Sequence, residues 1–459
     1  MMRHFSRNIH CVGIGGAGMS GLAELLHCYG HTVTGSDRTR SSVTGRLESL
    51  GIKIQYDHSP DCVKKAQLLI YSSAVRRDNP ERNYAGEHGI AELRRADALG
   101  QIMRSFTCIC VAGTHGKTTT TALIGAIMAE AGVRPTVLVG GTLRAEGAPV
   151  VIGDGPVMVA EADEFDRSFL AMYPAIAVIT NIEADHLDCY KDLDDIKNAF
   201  TAFAGLVPFY GALVCCSDDS GLRGILPRFA GKRVITYGIG HGAGYTAQNI
   251  EFVNGTASFD AVQNGSPLGR IRLSIPGMHN VVNALGALAT ALSMDVPFTA
   301  AADALAGFAG VRRRFEVVGR ERGVTVIDDY AHHPGEITAT LDAARRSGFK
   351  RIIAVFQPHL FSRTRDFMDG FAASLSKADS VVVTDIYKAR EEPIPGISAA
   401  TIVEKLHALG HKNAQYCGPR EAAAQSAAQQ AADGDAVVVM GAGDITETAA
   451  ELVEVLRHG

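Results

Sequence analysis

The chain has 459 residues, of which 46% are hydrophobic and 20% charged, and its formal net charge is −5. At about 100–200 residues per domain this length predicts two to four domains, and we expect three. No basic tract would neutralise a nucleic-acid backbone and no window is apolar enough to span a bilayer, so we expect neither a nucleic-acid nor a membrane partner. The nine cysteines form no C-x-x-C pair, which argues against a zinc site and favours reduced thiols.

Three blocks of the chain each open with an apolar strand that runs into a turn rich in glycine or polar residues. We therefore predict an α/β fold with domains at residues 1–106, 107–314 and 315–459. The first ten residues lack the apolar segment and cleavage site of a signal peptide, so we expect a cytoplasmic protein. The oligomeric state stays open between a monomer and a homodimer.

The first block carries the pattern Gly13-x-Gly15-x-x-Gly18 between a strand that starts at Asn8 and a helical segment. A second strand ends at Asp37, about 20 residues past the glycines, which is the spacing of the dinucleotide-type fingerprint. Such glycines let the backbone approach a pyrophosphate at the positive end of a helix. The pattern alone allows a nicotinamide dinucleotide, another nucleotide diphosphate, or a turn without a ligand.

The second block opens with an apolar strand that breaks into the loop Gly113-x-x-Gly116-Lys117-Thr118 and enters a helix. Backbone N–H groups, the helix end and the lysine would converge on a triphosphate, and the Thr118 hydroxyl would face Mg²⁺. The loop is shorter than the general P-loop pattern. An ordinary strand-to-helix turn is the alternative.

Acidic residues follow the next strands of this block. Glu161 ends the strand 157–161, and we predict it as a direct Mg²⁺ ligand, with a solvated acidic turn as the alternative. His186 lies in the polar segment 181–188 after another strand. It would complete a second cation site or lie near the reacting oxygens, although a lone histidine is more often structural.

His279 and Asn280 begin a long alanine-rich helix, which Asn280 would cap, and an arginine of the segment 312–314 would reach the phosphates from a hinge. The third block repeats apolar strands separated by helical stretches, which predicts a parallel sheet buried on both faces. Its first strand ends in the segment 328–334, which contains two acids, a tyrosine and two histidines. These side chains would hold a nucleobase, a ribose, Mg²⁺ or an incoming amine, and the segment 357–365 would lie beside them.

Taken together, the motifs resemble the Mur ligase family, and most closely its branch that joins L-alanine to UDP-N-acetylmuramate. They occur in the family's order over nearly the full chain: Gly13-x-Gly-Gly-x-Gly-Met-Ser, Gly113-Thr-His-Gly-Lys-Thr-Thr, Glu161-Ala-Asp-Glu, Asn181-x-Glu-Ala-Asp-His, Arg312-Arg-Arg-Phe and Asp328-Asp-Tyr-x-His-His-Pro. The resemblance implies a Rossmann-like N-terminal domain for the UDP-sugar and a central P-loop ATPase-type α/β domain. A C-terminal Rossmann-like domain would close over ATP and the amino acid.

The resemblance also implies the site residues. ATP would be bound by Gly113, Thr114, His115, Gly116, Lys117, Thr118, Thr119, His279, Asn280, Arg314 and Asp329. The UDP-sugar would be bound by Gly15, Gly16, Ala17, Gly18, Met19, Ser20, Asp37, Ser72 and Ser73. The amino acid would contact Tyr330, His359 and Arg363, and Mg²⁺ would bind Thr118, Glu161 and His186. The catalytic set would be Lys117, Glu161, His186 and His333.

Family chemistry implies an acyl phosphate formed from the lactyl carboxylate and ATP, which the amine of L-alanine then attacks. His186 and His333 are both candidates for the base that assists the amine. Two departures from the family pattern concern the amino-acid contacts and the acidic turn: Leu360 replaces a common arginine, and Phe165 replaces a small polar residue. The rival hypotheses are a ligase that recycles a whole tripeptide, a nucleotide-regulated binding protein without catalysis, and an NAD-dependent oxidoreductase.

Overall fold

The computed structural model describes residues 7–185, 189–240, 242–253, 255–389 and 391–458. Within these ranges the chain forms three β-sheets, one in each predicted block, which confirms the α/β fold class. By compactness the chain forms two units: one holds residues 1–248, 261–269 and 282–305, and the other holds 249–260, 270–281 and 306–459. The predicted domain boundaries therefore stay a prediction. No helix in the described ranges is long and apolar enough to cross a bilayer.

The first sheet contains five parallel strands in the order β3-β2-β1-β4-β5. The strand order reverses beside β1, and in open α/β sheets the ligand crevice lies at this switch point, outside the carboxyl ends of the strands. The elements are β1 (Asn8–Val12), α1 (Ala17–Cys28), β2 (Thr32–Ser36), α2 (Ser42–Ser49), β3 (Lys53–Gln55), β4 (Leu68–Tyr71), α3 (Pro80–Glu87), β5 (Ala91–Arg94) and α4 (Arg95–Met103).

The second sheet runs in the order β12-β11-β10-β6-β9-β7-β8, and β13 continues it by pairing Tyr245 with Tyr237 of β12. The apolar strands β6 and β10 at its centre are almost fully buried, as predicted. The elements are β6 (Thr107–Ala112), α5 (Lys117–Glu130), β7 (Thr136–Leu143), β8 (Ala148–Val151), β9 (Val157–Glu161), β10 (Ile176–Ile179), α6 (Leu193–Gly205), β11 (Ala212–Cys216), α7 (Ser220–Arg223) and β12 (Val234–Tyr237).

Three strands then follow in the chain, and the predicted alanine-rich helix comes after them. They are β13 (Tyr245–Val253), β14 (Thr256–Gln263) and β15 (Ser266–Leu273), followed by α8 (Met278–Leu292) and α9 (Phe298–Gly307). The structure buries five cysteines as free thiols: Cys11, Cys108, Cys110, Cys215 and Cys216.

The third sheet has six strands in the order β16-β17-β21-β18-β19-β20, and apolar residues pack on both of its faces. The elements are β16 (Glu316–Glu321), β17 (Val324–Asp329), α10 (Pro334–Arg346), β18 (Ile352–Phe356), α11 (Phe361–Asp366), α12 (Met368–Leu375), β19 (Ser380–Thr384), α13 (Ala400–Ala408), β20 (Ala414–Gly418), α14 (Ala423–Ala428), β21 (Ala436–Met440) and α15 (Thr446–His458).

The expectation of a purely parallel third sheet is wrong at its edge. β16, which the sequence analysis did not predict, pairs antiparallel with β17. Arg322 and Gly323 connect them with φ of +50° and +76°, and two central residues of positive φ are typical of a tight hairpin turn. Because arginine rarely adopts this conformation, the Arg-Gly pair gave no usable turn signal.

Candidate active site

The predicted phosphate cradle connects β6 to α5. Gly116 precedes the helix with φ of +82°, and Gly113 has φ of +140°. A Cβ atom on Gly113 would lie 2.0 Å from Oγ1 of Thr180, and one on Gly116 would lie 2.6 Å from Oδ1 of Asn283. The loop thus requires glycine at both positions, for its conformation and for its close packing.

The cradle is fixed to the end of β10 by hydrogen bonds that the sequence analysis did not foresee. The backbone N–H of His115 donates to Oδ1 of Asn181 at 2.8 Å, and the Asn181 amide donates back to the His115 carbonyl at 3.0 Å. The N–H of Glu183 donates to Oγ1 of Thr114 at 2.9 Å. Asn181 and its neighbours thereby fix the loop backbone in one conformation.

Lys117 forms a buried ion pair with Glu164. Its Nζ atom lies 2.8 and 3.0 Å from the two carboxylate oxygens and donates to the Gly113 carbonyl at 2.7 Å. Burial acts to lower the pKa of Lys117, but the carboxylates of Glu164, Asp163 and Glu161 outweigh it and raise that pKa. Burial also raises the pKa of Glu164 to about 7, although the Lys117 charge acts to lower it. The lysine is therefore charged and held at the loop.

Oxygen ligands suited to Mg²⁺ lie on the two elements next to the cradle. Glu161 ends β9, pairs with Val111 of β6, and accepts a hydrogen bond from the N–H of Gly140 at 2.7 Å. Thr118 and Thr119 are buried in the first turn of α5. A carboxylate and a hydroxyl are the hard ligands that Mg²⁺ prefers, so these residues fit the ion. His186, the third predicted ligand, lies outside the described residues.

The first glycine turn lies at the switch point of the first sheet. The N–H groups of Gly13 and Ile14 donate to the Ser36 carbonyl at 2.9 and 3.0 Å, and the N–H of Gly15 donates to Oδ2 of Asp37 at 2.7 Å. Asp37 therefore contacts the turn itself. Gly16 precedes α1 and has no side chain that could cap this helix end.

The structure brings part of the predicted UDP-sugar set to this turn. Ser72 follows β4, and its Cβ lies 3.6 Å from the position of a Cβ on Gly13. Ser73 is the next residue in the loop after β4, whereas the side chains of Met19 and Ser20 are buried. Their roles in binding the sugar stay predictions.

Arg95 lies at the same turn, and the sequence analysis missed it. Its Nη1 atom is 2.7 Å from the position that a Cβ on Gly18 would take. Arg95 begins α4, 77 residues after Gly18, so only the folded sheet brings the two together. The pair Arg94-Arg95 gave no local signal that would distinguish it from a solvated helix start.

The second unit gathers the acidic and aromatic residues that follow β17. Asp329 accepts hydrogen bonds from the N–H groups of Phe315 and Ala331, each at 2.8 Å. Burial raises the pKa of Asp329 to about 6, while the charge of Arg314 acts to lower it. The Arg314 guanidinium also lies 5.4 Å from the ring centroid of Tyr330. Asp329, Tyr330 and Arg314 thus form one group, and their roles in binding ATP and the amino acid stay predictions.

His279 belongs to this group because the charge of Arg314 acts on its imidazole. Burial and the charge of Arg314 lower the pKa of His279 to about 4, so its imidazole is neutral at pH 7. Asn280 is the third residue of α8, and its side-chain amide donates to the Pro276 carbonyl at 2.6 Å. The long helix therefore begins at Met278, one residue before the predicted start, and the prediction that Asn280 caps it is wrong, because Asn280 lies inside the helix.

His333 caps α10, because its Nδ1 accepts the N–H of Gly335 at 3.4 Å. In a neutral imidazole, an accepting Nδ1 places the ring proton on Nε2. The role of His333 as a base stays a prediction.

The predicted amino-acid residues His359 and Arg363 flank the departure at Leu360. The His359 ring stacks on Tyr387 with a centroid distance of 5.7 Å. Leu360 precedes α11 with φ of +69° and ψ of 137°, a strained conformation for a residue with a side chain. Arg363 lies in α11, and its contact with an amino acid stays a prediction.

Comparison with known proteins decides the family. A curated UDP-N-acetylmuramate--L-alanine ligase from Salinibacter ruber is 46% identical over 455 residues, which cover 98% of this chain and 95% of that protein. The chain belongs to the Mur ligase family. The resemblance inferred from the motifs is confirmed.

Family models and solved structures of Mur ligases agree with this assignment. Residues 8–107 match the Mur ligase family catalytic domain, 111–291 the Mur ligase middle domain, and 313–443 the Mur ligase glutamate ligase domain. The UDP-N-acetylmuramate-alanine ligase of Thermotoga maritima superposes with a TM-score of 0.85 at 30% identity, covering 98% of this chain and 99% of that one. A murein peptide ligase from Psychrobacter arcticus gives 0.73 at 26% identity, covering 99% of each chain.

Proposed function

We propose that this Mur ligase joins L-alanine to the lactyl carboxylate of UDP-N-acetylmuramate and converts ATP to ADP and phosphate, as a step of peptidoglycan precursor synthesis. The observation that carries the proposal is the glycine cradle with a charged, buried Lys117 in a chain so similar to ligases of that name. ATP and the UDP-sugar are cytoplasmic metabolites, so the reaction would take place in the cytoplasm.

The reaction proceeds in two displacements. An oxygen of the lactyl carboxylate attacks the γ-phosphorus of ATP, the bond to the β,γ-bridging oxygen breaks, and ADP leaves. The amine of L-alanine then attacks the acyl carbon. The carbon–oxygen bond to phosphate breaks, the amine loses a proton, and phosphate leaves with the former carboxylate oxygen. Activation is required because a carboxylate is a poor electrophile and repels a triphosphate.

The residues of the cradle reduce this repulsion. The positive end of α5 and the backbone of the glycine loop bind phosphate oxygens, and Lys117 adds a full charge at the same place. Thr118 and Glu161 would hold Mg²⁺, which would supply further positive charge against the phosphates. Glu164 keeps Lys117 charged in a buried environment, since a carboxylate at 2.8 Å favours the ammonium form.

The first domain would bind the diphosphate of the UDP-sugar at the turn after β1. The uncapped start of α1 offers backbone N–H groups and a positive helix end. Arg95 would add a guanidinium charge, because it lies against Gly18 and no carboxylate in the described part of the chain pairs with it. A nicotinamide cofactor is therefore unnecessary to explain the Gly-x-Gly-x-x-Gly pattern.

A tripeptide-recycling ligase is the nearest rival within the family. The murein peptide ligase fits less closely than the alanine ligase, with a TM-score of 0.73 against 0.85 and an identity of 26% against 30%. These differences favour the alanine reaction. The similarity to a named alanine ligase over 98% of the chain argues against a binding protein without catalysis.

Phosphate release from ATP tests the proposal. We expect release with UDP-N-acetylmuramate and L-alanine together, weaker release with glycine or L-serine, and none when the sugar nucleotide is omitted. Turnover with a stem tripeptide but not with L-alanine would contradict the substrate assignment. Reduction of NAD by any substrate would contradict the ligase class.

Replacing Arg95 by alanine should raise the KM for UDP-N-acetylmuramate about tenfold or more and leave the KM for ATP unchanged, because the diphosphate loses a charged hydrogen-bond donor. Arg95→Lys should recover part of the loss, since it keeps the charge but not the bidentate geometry. Arg94→Ala is the matched control, because Arg94 pairs with Asp97 at 2.8 Å. An equal rise in both Michaelis constants would contradict this role.

A further inference from the structure

A buried polar cluster lies beneath the first glycine turn. The side chain of Glu81 in α3 is 0% exposed and that of His10 in β1 is 1% exposed. One carboxylate oxygen of Glu81 lies 3.3 Å from Nε2 of His10. The other accepts the Ser36 hydroxyl at 2.7 Å and lies 3.1 Å from Nδ1 of His58. The cluster extends to Thr34, whose hydroxyl lies 2.9 Å from Nδ1 of His10.

The carboxylate of Glu81 stays ionised in this environment. Burial acts to raise its pKa, but hydrogen bonds from His10, Ser36 and His58 outweigh burial and lower that pKa. Burying a carboxylate costs free energy unless hydrogen bonds compensate for it. A buried carboxylate with this many hydrogen bonds is held rigidly. Nothing in the proposed chemistry uses it directly, because the side chain of Glu81 is fully buried.

Ser36 connects this cluster to the glycine turn. The Ser36 carbonyl accepts the N–H groups of Gly13 and Ile14 at 2.9 and 3.0 Å, and the next residue, Asp37, accepts that of Gly15 at 2.7 Å. Ser36 therefore contacts Glu81 through its side chain and the turn through its backbone. Movement of Ser36 would displace both anchors of the turn at once.

We propose that Glu81 is a positioning residue for the sugar-nucleotide site, acting through Ser36 to fix the Gly13–Gly18 turn in the conformation that receives a nucleotide diphosphate. The inference rests on the proposed function and adds to it a residue that no ligand contact would identify. His10 and His58 hold the carboxylate from the remaining sides. A displaced turn loses several backbone contacts together, so the effect on binding exceeds that of one hydrogen bond.

Binding of UDP-N-acetylmuramate by calorimetry and the Michaelis constants of the full-length enzyme test the inference. Glu81→Leu should raise the dissociation constant for the sugar nucleotide about tenfold or more, while the KM for ATP stays within about twofold of wild type. Glu81→Gln should recover most of the affinity. Its amide oxygen accepts from Ser36, and its NH₂ group donates to His10 after a change of imidazole tautomer.

Glu24→Leu is the matched control. Glu24 is a buried carboxylate of the same domain that pairs with Arg46 at 2.8 Å. This variant should lose stability without losing sugar-nucleotide affinity. If Glu81→Leu fails to fold, Ser36→Ala takes its place, because it removes the hydroxyl and keeps the carbonyl, and it should weaken binding about threefold or more.

Two outcomes overturn the inference. One is wild-type affinity in a folded Glu81→Leu or Ser36→Ala variant, and the other is an equal rise in the KM for ATP. Failure of the proposed function is distinguishable from both, because it would appear in the wild-type enzyme itself, either as no binding of UDP-N-acetylmuramate or as no turnover with L-alanine.

Discussion

Lys117→Ala is expected to lower kcat about a thousandfold or more while the enzyme still binds UDP-N-acetylmuramate with wild-type affinity. The variant removes the charge that offsets repulsion between the triphosphate and the attacking carboxylate. It leaves the glycine turn of the first sheet untouched. Steady-state kinetics and calorimetric titration of the sugar nucleotide measure the two effects separately.

The stability of the Lys117 variant needs its own control. Removal of the lysine leaves Glu164 buried without its partner, which costs about 3–5 kcal/mol of unfolding free energy. The double variant Lys117→Ala/Glu164→Gln should recover most of this stability, since it removes the unpaired charge, yet remain inactive. Activity above about a tenth of wild type in either variant would show that Lys117 does not serve the transition state.

Gly113→Ala should abolish ATP binding and lower the unfolding free energy by about 2–4 kcal/mol. The new Cβ would lie 2.0 Å from Oγ1 of Thr180 and 3.0 Å from the backbone nitrogen of Asn181. Residues with side chains rarely adopt φ of +140° in any case. The loop must therefore leave the conformation in which its N–H groups converge. Nucleotide titration and thermal unfolding measure both losses.

Gly132→Ala is the matched control for this prediction. Gly132 follows α5 with φ of +74°, and a Cβ added there would meet no atom of the described residues within 4 Å beyond its chain neighbours. This variant should cost about 1–2 kcal/mol from the backbone alone and keep its affinity for ATP. Equal loss of ATP binding in both variants would show that general instability, and not the packing at Thr180, causes the defect.

Local sequence patterns were sufficient to predict the two loops that are expected to bind phosphates. The cradle at Gly113–Thr118 and the turn at Gly13–Gly18 depend on short-range conformational rules, because glycine spacing and helix starts are encoded within a few residues. The buried strands of the sheets were equally predictable, because each is a continuous apolar run in the sequence. The antiparallel edge strand β16 was missed, since its hairpin turn uses arginine at positive φ.

Contacts between distant segments were not predictable from spacing. Asn181 fixes the cradle from 66 residues away, Glu164 pairs with Lys117 across 47 residues, and Glu81 reaches Ser36 across 45. Each contact depends on which strands become neighbours in the sheet. The strand order cannot be read from a single sequence without a structure or related sequences. For the same reason the position of Arg95 at the glycine turn was not predicted.

Transfer of a heavy oxygen isotope from the lactyl carboxylate to phosphate tests the central claim most directly. With both carboxylate oxygens of UDP-N-acetylmuramate labelled, one labelled oxygen should appear in each released phosphate, because the carboxylate oxygen that attacks the γ-phosphorus leaves with it. Mass spectrometry of the phosphate and of the alanyl product measures the transfer. Unlabelled phosphate released together with the amide product would contradict an acyl phosphate formed at the Lys117 cradle.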